Sequence, residues 1–235
     1  MSLWTWVESS QRYRLTAEGA EVTGQRPGTF VGQARMIQYR ERWIEAQKPA
    51  VNNLASQLAN GNITLPQWEI QMRNEVRTNI INQYMLGHGG RNSMTQADWG
   101  RVGNLVRDQY GYLHRFAGQI ADGTITSENA IAARSRMYVE ASGQAFERGR
   151  VLGQGMPDLP QYPGDGATVC LSNCKCYWNI VDRADQWECT WTLTPAENCE
   201  DCLALADRYA PLIIRKENAA TRSILMEQLD GISKH

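Results

Sequence analysis

All six cysteines of this 235-residue chain fall within one stretch of 33 residues, and the 169 residues before it contain none. A disulfide framework for the whole chain would be spread along its length. The N-terminal segment Met1–Trp6 lacks the basic start, long apolar run and small-residue cleavage site of a secretion signal. We therefore expect a reducing compartment, in which clustered cysteines bind metal more often than they form disulfides.

The spacing of these cysteines suits a zinc site. A Cys-x3-Cys-x-Cys knuckle begins at Cys170, and a Cys-x2-Cys pair begins at Cys199. Zinc takes four ligands in a tetrahedron, and structural sites commonly receive them as two close groups from two elements. Bound metal would also supply folding energy to a small unit with a limited core. Structural Zn²⁺ is the favoured interpretation, and disulfides or free thiols are the alternatives.

The stretch offers more thiols than one metal ion uses. Cys189 lies in a predicted strand between Trp187 and Trp191, on the same face, which is typical of a small buried hydrophobe. Four ligands must then come from the remaining five thiols, and we expect either Cys174 or Cys176 to be left out. A site of four thiolates has no open position for an activated water, so it would be structural and not catalytic. The candidate metal ligands are Cys170, Cys174, Cys176, Cys199 and Cys202.

Helix signals dominate the chain before the cysteines. From about residue 29 to 60, apolar residues recur every three, four or seven positions, which predicts an amphipathic helix. Thr64 with Gln67, and Thr95 with Asp98, form two capping-box patterns, and an apolar stripe follows each. Each box predicts the start of a further helix.

A seven-residue corner occurs twice in this region. Residues 120–126, IADGTIT, closely copy residues 58–64, LANGNIT, which lie 62 positions earlier. Each corner is predicted to connect two helices, and the second leads into a helix over about 127–152. The similarity of the two corners is explained either by an internal repeat or by convergence on good capping chemistry. The prediction for residues 1–151 is a helical domain, a bundle of αα-hairpins, in a mainly α chain.

A change of composition marks a second unit. The fifteen residues that follow Val151 hold three prolines and four glycines, which cannot continue a helix. We predict a Pro/Gly-rich linker or surface strap over residues 152–167. Residues 168–235 are then predicted to form a small, cysteine-rich, zinc-binding α+β unit.

Two local patterns support strands and a helix in that unit. The β-rich runs 176–181 and 187–193 flank a turn-like segment and predict a β-hairpin. Thr194, followed by a proline, is predicted to cap a helix that holds Cys199 and Cys202 in its first two turns.

The composition is close to globular averages, with 42% apolar and 21% charged residues, and no apolar run is long enough to span a membrane. The net charge of −1 argues against a chain built as a whole to bind nucleic acid. The charge is uneven: residues 1–150 hold 17 Lys+Arg against 13 Asp+Glu, whereas residues 151–235 hold 7 against 12. Two units with different partners are therefore plausible.

No catalytic motif is apparent. His88 lies in a glycine-rich connection, His114 lies within a predicted helix, and His235 is the terminal residue. The segment around His88 lacks the lysine and the preceding strand of a phosphate loop, so we expect a flexible connection between helices. With the acids scattered over helix faces, the sequence predicts no enzymatic activity.

Two tryptophans near the N-terminus, Trp4 and Trp6, alternate without a helix period. Such an exposed aromatic pair can anchor a chain onto a neighbouring subunit. Packing within the chain is the alternative.

Several segments resemble those of tailed-bacteriophage virion proteins. The knuckle at 173–176, NCKC, is similar to the Asn-Cys-Arg-Cys knuckle of minor head proteins in the phage Mu type head-morphogenesis group. The pair Cys199 and Cys202 is similar to the Cys-x-x-Cys pair of that group, in which the pair precedes the knuckle. Residues 97–103, ADWGRVG, also resemble uncharacterised virion proteins, so the resemblance spans about residues 50–212.

The resemblance implies a non-enzymatic structural protein of the bacteriophage virion, a minor head component near the portal or neck that acts in head assembly. Its partners would be other virion proteins of the portal, capsid or neck, with packaged DNA as a further candidate, and it would be present in multiple copies. Its location would be the virion, and the host cytoplasm during assembly.

A nucleic-acid-binding zinc module is the alternative, although the acidic cysteine-rich unit offers few basic residues for it. A hydrolase or transferase is a third interpretation, which would require activity that is lost when His88 is removed.

Overall fold

Over residues 2–195 and 197–216, which the structure describes, the chain forms seven α-helices and two antiparallel sheets of three strands each. The structure is a computed structural model. The helices are α1 (Ala17–Thr23), α2 (Gln33–Ala59), α3 (Leu65–His88), α4 (Gln96–Ala121), α5 (Glu128–Glu140), α6 (Ser142–Gly153) and α7 (Glu200–Arg208). The strands are β1 (Trp4–Val7), β2 (Arg12–Leu15), β3 (Phe30–Val31), β4 (Tyr177–Asp182), β5 (Gln186–Thr192) and β6 (Leu212–Arg215). The predicted class is confirmed at this level: the described chain is mainly helical, with small antiparallel sheets.

Helices α3 and α4 begin where the capping boxes predict. The Thr64 hydroxyl accepts a hydrogen bond from the backbone N–H of Gln67, and the Gln67 side chain accepts one from the backbone N–H of Thr64. Thr95 and Asp98 make the same reciprocal pair. Each box satisfies two of the N–H groups that a helix start leaves without partners, so local chemistry sets both starting points.

Helix α3 contacts α2, α4, α5 and α6, and its predicted apolar stripe is buried. The Trp68 ring meets Phe116 of α4 edge-on, with 5.5 Å between ring centroids. Burying each large side chain of the stripe stabilises the fold by about 1.5–3 kcal/mol relative to exposure. The stripe residues, each at most 2% exposed, are Trp68, Met72, Val76, Ile80 and Tyr84.

Helix α6 approaches α3 at backbone distance through two glycines. A Cβ atom on Gly87 would overlap the carbonyl of Phe146, and a Cβ atom on Gly149 would overlap the carbonyl of Tyr84. Only glycine leaves room for this approach. The sequence pattern did not reveal the contact, because each glycine lies inside a helix far from its partner in the chain.

The two predicted corners share one backbone conformation. Gly61 and Gly123 have φ angles of 70° and 79°, in the left-handed region that glycine adopts without strain. In each corner the isoleucine, Ile63 or Ile125, donates its N–H to the carbonyl six residues earlier. Both corners connect long helices, as predicted.

Helix α2 begins at Gln33, later than the predicted start near residue 29. The reason is that Phe30 and Val31 pair with β2 as strand β3. A sheet partner that lies elsewhere in the chain therefore overrides the helical periodicity at this end.

The predicted helix over 127–152 is divided at Ala141 into α5 and α6. The buried Ser142 hydroxyl donates a hydrogen bond to the carbonyl of Val139 at 2.5 Å. Gly143 follows it, and a Ser/Gly pair is a usual site for a sharp change of helix direction.

The N-terminal sheet, in the order β1-β2-β3, was not predicted. Trp4 is 5% exposed and belongs to the same buried cluster as Tyr13. The indole N–H of Trp6 donates to Asp182 Oδ2 at 3.1 Å. Of the two interpretations of this tryptophan pair, the structure supports packing within the chain.

Residues 152–167, predicted as a linker or surface strap, contribute to the hydrophobic cluster of the cysteine-rich unit. Met156, Leu159 and Tyr162 are each at most 5% exposed. The indole N–H of Trp178 donates to a strap carbonyl, that of Gln161, at 2.9 Å. The segment is therefore a strap that buried side chains attach to the sheet beyond it.

Strands β4 and β5 form the predicted hairpin, and β6 adds a third strand that was not predicted. Trp178 and Trp191 stand opposite each other across the hairpin, with their rings edge to face at 5.3 Å. Of the predicted unit 168–235, residues 217–235 lie outside the described residues.

Candidate metal centre

The knuckle cysteines lie on a turn between the strap and the second sheet. A short 3₁₀ turn, Leu171–Asn173, comes first, and β4 begins only at Tyr177. Cys174 and Cys176 therefore precede the strand, and the alternation of side chains along a strand does not apply to them. Both sulfurs lie near the sulfur of Cys202.

The second cysteine pair lies at the start of α7. Cys199 is the N-cap residue, with extended backbone, and Cys202 is the third residue of the helix. The helix thus begins at Glu200, and the prediction of a start after Thr194 was wrong. The Asn198 side chain donates to the Thr194 carbonyl at 3.1 Å, which shapes the chain before the helix into a non-helical turn.

The sulfur separations match those of ligands on one ion. Cys202 Sγ lies 3.8 Å from Cys170 Sγ and 3.6 Å from Cys174 Sγ. A disulfide requires about 2.05 Å, so these sulfurs are not bonded, and all six cysteines are free thiols. A tetrahedron with metal–sulfur distances of about 2.3 Å has edges of roughly 3.8 Å, close to both separations.

Two groups of three sulfurs share one member. The sulfurs of Cys170, Cys199 and Cys202 lie within 4.8 Å of one another, and so do those of Cys174, Cys176 and Cys202. All five predicted ligands therefore meet, and Cys202 belongs to both groups. This cluster could hold a metal ion. Thiolates favour soft or borderline metals such as Zn²⁺, Cu⁺ and the iron of iron–sulfur clusters.

A small cavity of about 50 Å³ lies among the five sulfurs. Polar groups border it: Thr168 Oγ1 lies 3.1 Å from Cys170 Sγ, and the Cys176 thiol donates to Asn198 Oδ1 at 3.7 Å. Such outer contacts orient ligand side chains in metal sites.

The thiols do not share one electrostatic environment. Hydrogen bonds from the Cys176 thiol and backbone lower the pKa of Cys174 to about 6. Burial raises the pKa of Cys170 to about 11 and also raises the pKa of Cys202. A metal ion would reverse the effect of burial, since it binds the deprotonated form.

Cys189 stands apart, as predicted. It lies on β5 opposite Ile180, is fully buried, and belongs to neither sulfur group. Burial raises its pKa to about 12, which keeps the thiol protonated. Its role is that of a small apolar side chain in the sheet core.

Charged residues of the helical body bind the backbone of the knuckle. The buried Arg40 guanidinium donates to the carbonyls of Lys175 at 3.3 Å and Cys176 at 3.5 Å. The ammonium of Lys175 is paired with Glu41 at 2.6 Å. These contacts hold the knuckle against α2.

A second buried group joins α2 and α6 to β4. Arg150 is paired with Glu147 at 2.8 Å and donates to Gln33 Oε1 and to the carbonyl of Trp178. The Gln33 amide in turn bonds both the N–H and the carbonyl of Ile180. Sequence analysis missed both groups, because a sequence alone does not show which arginines are buried.

The connection after α3, predicted to be flexible, forms several side-chain contacts through His88 and Ser93. His88 Nε2 lies 3.4 Å from Asp98, and His88 Nδ1 lies 3.0 Å from the Ser93 hydroxyl. Tyr84 donates to the other oxygen of Asp98 at 2.8 Å. The Ser93 hydroxyl is also within 2.9 Å of the His88 carbonyl and 2.7 Å of the Gly90 carbonyl.

Ser93 contacts His88, which in turn contacts Asp98, in the same succession as the serine, histidine and acid of a hydrolytic triad. This arrangement was not predicted. The Ser93 hydroxyl has one proton to donate, and two carbonyl oxygens at the end of α3 compete with His88 for it. The arrangement thus satisfies carbonyls at a helix end. Of the other histidines, His114 lies on the exposed side of α4 near Glu69, and His235 is outside the described residues.

The chain matches no family model, no curated protein sequence and no solved structure. In the described part of the chain, no helix is both long enough and apolar enough to span a membrane.

Proposed function

We propose that the five-cysteine cluster holds one structural Zn²⁺ and that the protein is a non-enzymatic structural component of a tailed-bacteriophage head. The observation that supports the metal is the meeting of the knuckle sulfurs with Cys202 at tetrahedral separations. The set of four ligands would come from Cys170, Cys174, Cys176, Cys199 and Cys202.

The role of the ion would be to join two elements that have few other contacts. The knuckle is bonded to α2 through Arg40, whereas Cys199 and Cys202 belong to α7. An ion between them fixes α7 on the body. Because thiolates fill all four positions, no position is left for an activated water, and the site stabilises structure.

Metal analysis of the purified full chain tests the site. We expect one zinc per chain by native mass spectrometry in freshly reduced protein, and loss of that zinc in Cys202→Ser. Cys189→Ala is the matched control, since it removes a thiol outside the cluster and is expected to keep the ion. Metal-free reduced protein, or equal loss in both variants, would contradict the proposal.

The virion assignment is supported by the NCKC knuckle and the Cys-x-x-Cys pair, and by an arginine-rich body beside an acidic unit. Its partners would be portal, capsid or neck proteins, with packaged DNA as a further candidate, and the sites of action would be the virion and the host cytoplasm during assembly. Proteomics of density-purified particles tests this. We expect the chain in intact particles, and its presence only in the unassembled fraction of the lysate would contradict it.

The proposal of no enzymatic activity is tested at Ser93. We expect a fluorophosphonate probe to leave the wild-type protein unlabelled, because carbonyl oxygens compete for the hydroxyl proton. Labelling that is lost in both Ser93→Ala and His88→Ala would favour a hydrolase instead.

One surface favours nucleic-acid binding as a second candidate function. On the outer face of the N-terminal sheet, Arg14 lies between Thr5 and Phe30 in register, with Arg12 exposed on the same strand. Arginine beside an exposed aromatic ring suits stacking with single-stranded nucleic acid. Fluorescence anisotropy with a labelled oligonucleotide at physiological salt tests it, with Phe30→Ala expected to weaken any binding.

A further inference from the structure

A groove lies on the surface between α4, α5 and the 3₁₀ turn of the knuckle. Two adjoining depressions of about 250 and 350 Å³ form it, and Gln109, Tyr112, Gln144 and Asp165 line both. We refer to this surface as the α4–α5 groove.

The groove exposes large apolar side chains. Tyr112 is 53% exposed, Met137 37% and Leu171 46%. Leu171 also has a φ angle of +49°, a conformation that a leucine rarely adopts. A cluster of exposed apolar residues on a protein surface commonly marks an interaction site.

The groove carries a net charge of +1, because three arginines and two aspartates, Asp108 and Asp165, line it. Arg107, Arg115 and Arg134 line it, and within residues 2–195 and 197–216 none of them forms an ion pair with a carboxylate. Arg115 stacks over Tyr112 at 4.8 Å, so charge and apolar surface are adjacent. A matching partner would be acidic with an apolar centre.

The outer face of α7 has that chemistry. Glu200, Leu203, Ala204 and Asp207 are all exposed and follow the i, i+3, i+4, i+7 spacing of one helix face. Leu203 is 52% exposed, and the two acids on either side of it have no ion-pair partner among the described residues. The opposite face of the helix, including Cys202, is packed against the sheet.

We propose that the outer face of α7 in one copy of the chain docks into the α4–α5 groove of a second copy. Leu203 would contact Tyr112 and Met137, while the acids at the two ends of the face would meet the arginines at the groove rim. The two surfaces differ, so the contact is head-to-tail, and repetition builds a ring or a filament. This inference goes beyond the proposed function and does not depend on virion membership.

The metal cluster lies between the two surfaces. Cys202 anchors α7, and Leu171 of the groove follows Cys170 directly. Loading with metal would therefore order both halves of the interface at once. Zinc content is measured on every sample, so that a failure of the metal site is distinguished from a failure of docking.

Sedimentation velocity of the zinc-loaded full chain tests the interface. We expect association with a dissociation constant of about 1 mM or tighter. The groove variant Arg115→Glu/Arg134→Glu and the helix variant Leu203→Ser/Asp207→Arg are each expected to be monomeric. Ile70→Ser is the matched control, because Ile70 is 61% exposed on α3, outside the groove, and this variant is expected to associate like the wild type.

A mixture of the two monomeric variants gives the most direct test of the head-to-tail contact. Each retains one intact surface, so a head-to-tail contact predicts a one-to-one dimer that does not grow further. A wild-type chain that stays monomeric at protein concentrations up to about 1 mM would overturn the proposal. So would a mixture that remains monomeric, or association that the groove and helix variants leave unchanged.

Discussion

The helical body and the cysteine-rich unit bury their cores by different means. The body packs aliphatic and aromatic side chains from five long helices around the stripe of α3. In the cluster of the cysteine-rich unit, four of the twelve buried residues are cysteines and four others belong to α6 and the strap. Among the described residues, the other four buried members of this cluster are Trp178, Ile180, Trp191 and Tyr209.

The difference shows that the cysteine-rich unit depends for its stability on groups outside its own hydrophobic core. A small unit with few apolar residues gains too little from burial to offset the loss of chain entropy. On the proposed function, the remaining stabilisation comes from metal bound by the cysteine cluster and from the buried arginines of the body. Variants and treatments that weaken one of these sources at a time test the comparison.

Removal of the metal should produce the largest difference in stability between the two regions. We expect chelation of the zinc-loaded chain, or Cys202→Ser, to abolish hydrogen-exchange protection in α7 and β4–β6, because structural zinc provides roughly 10 kcal/mol or more of folding energy in small units. The amides of α3 and α4 should keep their protection, since their core holds no cysteine. Equal loss of protection in both regions would show that the two fold as one cooperative unit.

Loss of a buried charge should have the next largest effect. Arg150→Met removes the 2.8 Å partner of the fully buried Glu147 and leaves Arg40, at 3.7 Å, as its ion-pair partner among the described residues, so we expect about 3 kcal/mol of destabilisation in urea unfolding. Arg148→Met on the same helix is the control, and its partly exposed pair with Asp158 should contribute about 1 kcal/mol or less. Similar values for the two variants would mean that the buried network is not a major source of stability.

Removal of a helix cap should affect the body alone. Thr95→Ala deletes half of the capping box of α4, and we expect a cost of about 1 kcal/mol in thermal unfolding with zinc content unchanged. Thr64→Ala at α3 should have a similar stability cost and should also leave the zinc content unchanged, because its capping box has the same geometry. Loss of zinc in either variant would indicate coupling between the body and the cluster that the contacts do not suggest.

Acid should weaken the contact between the body and the knuckle by a small amount. Burial acts to raise the pKa of Glu41, but Arg40 and Lys175 together lower this pKa below its usual value. The ionised form therefore stabilises the fold above pH values near 4, and this contribution is lost as pH falls through the lowered pKa.

Glu41→Gln removes that contribution at every pH. The difference in unfolding free energy between wild type and variant should therefore shrink as the pH is lowered below about 4. Urea titrations at several pH values measure it, and a difference that grows in acid would contradict the assigned ion pairs.

Much of the helical body could be predicted from short stretches of sequence. The boxes at Thr64 and Thr95 placed the starts of α3 and α4, and the glycines of the two corners placed the ends of α2 and α4, because each signal involves residues a few positions apart. The division at Ala141 was missed, although the Ser142–Gly143 pair that follows it is a local signal for a change of helix direction.

The candidate site was predicted in composition but not in geometry. The five candidate ligands were identified from their spacing and their sulfurs do meet, but the 3₁₀ turn that precedes Cys174 was not predicted. The buried group around Arg150 joins residues more than 100 positions apart, and no local pattern marks such pairs.

The amino-acid sequence alone determined where α3 and α4 begin and where the thiols concentrate, since capping and cysteine spacing act within a turn or two of the chain. Only the tertiary structure decided that Trp4 and Trp6 pack inward, that His88 is bonded to Asp98, and that five sulfurs converge around Cys202. The physical reason is that these contacts depend on which distant surfaces are brought together, and that choice is made by burial of the whole core.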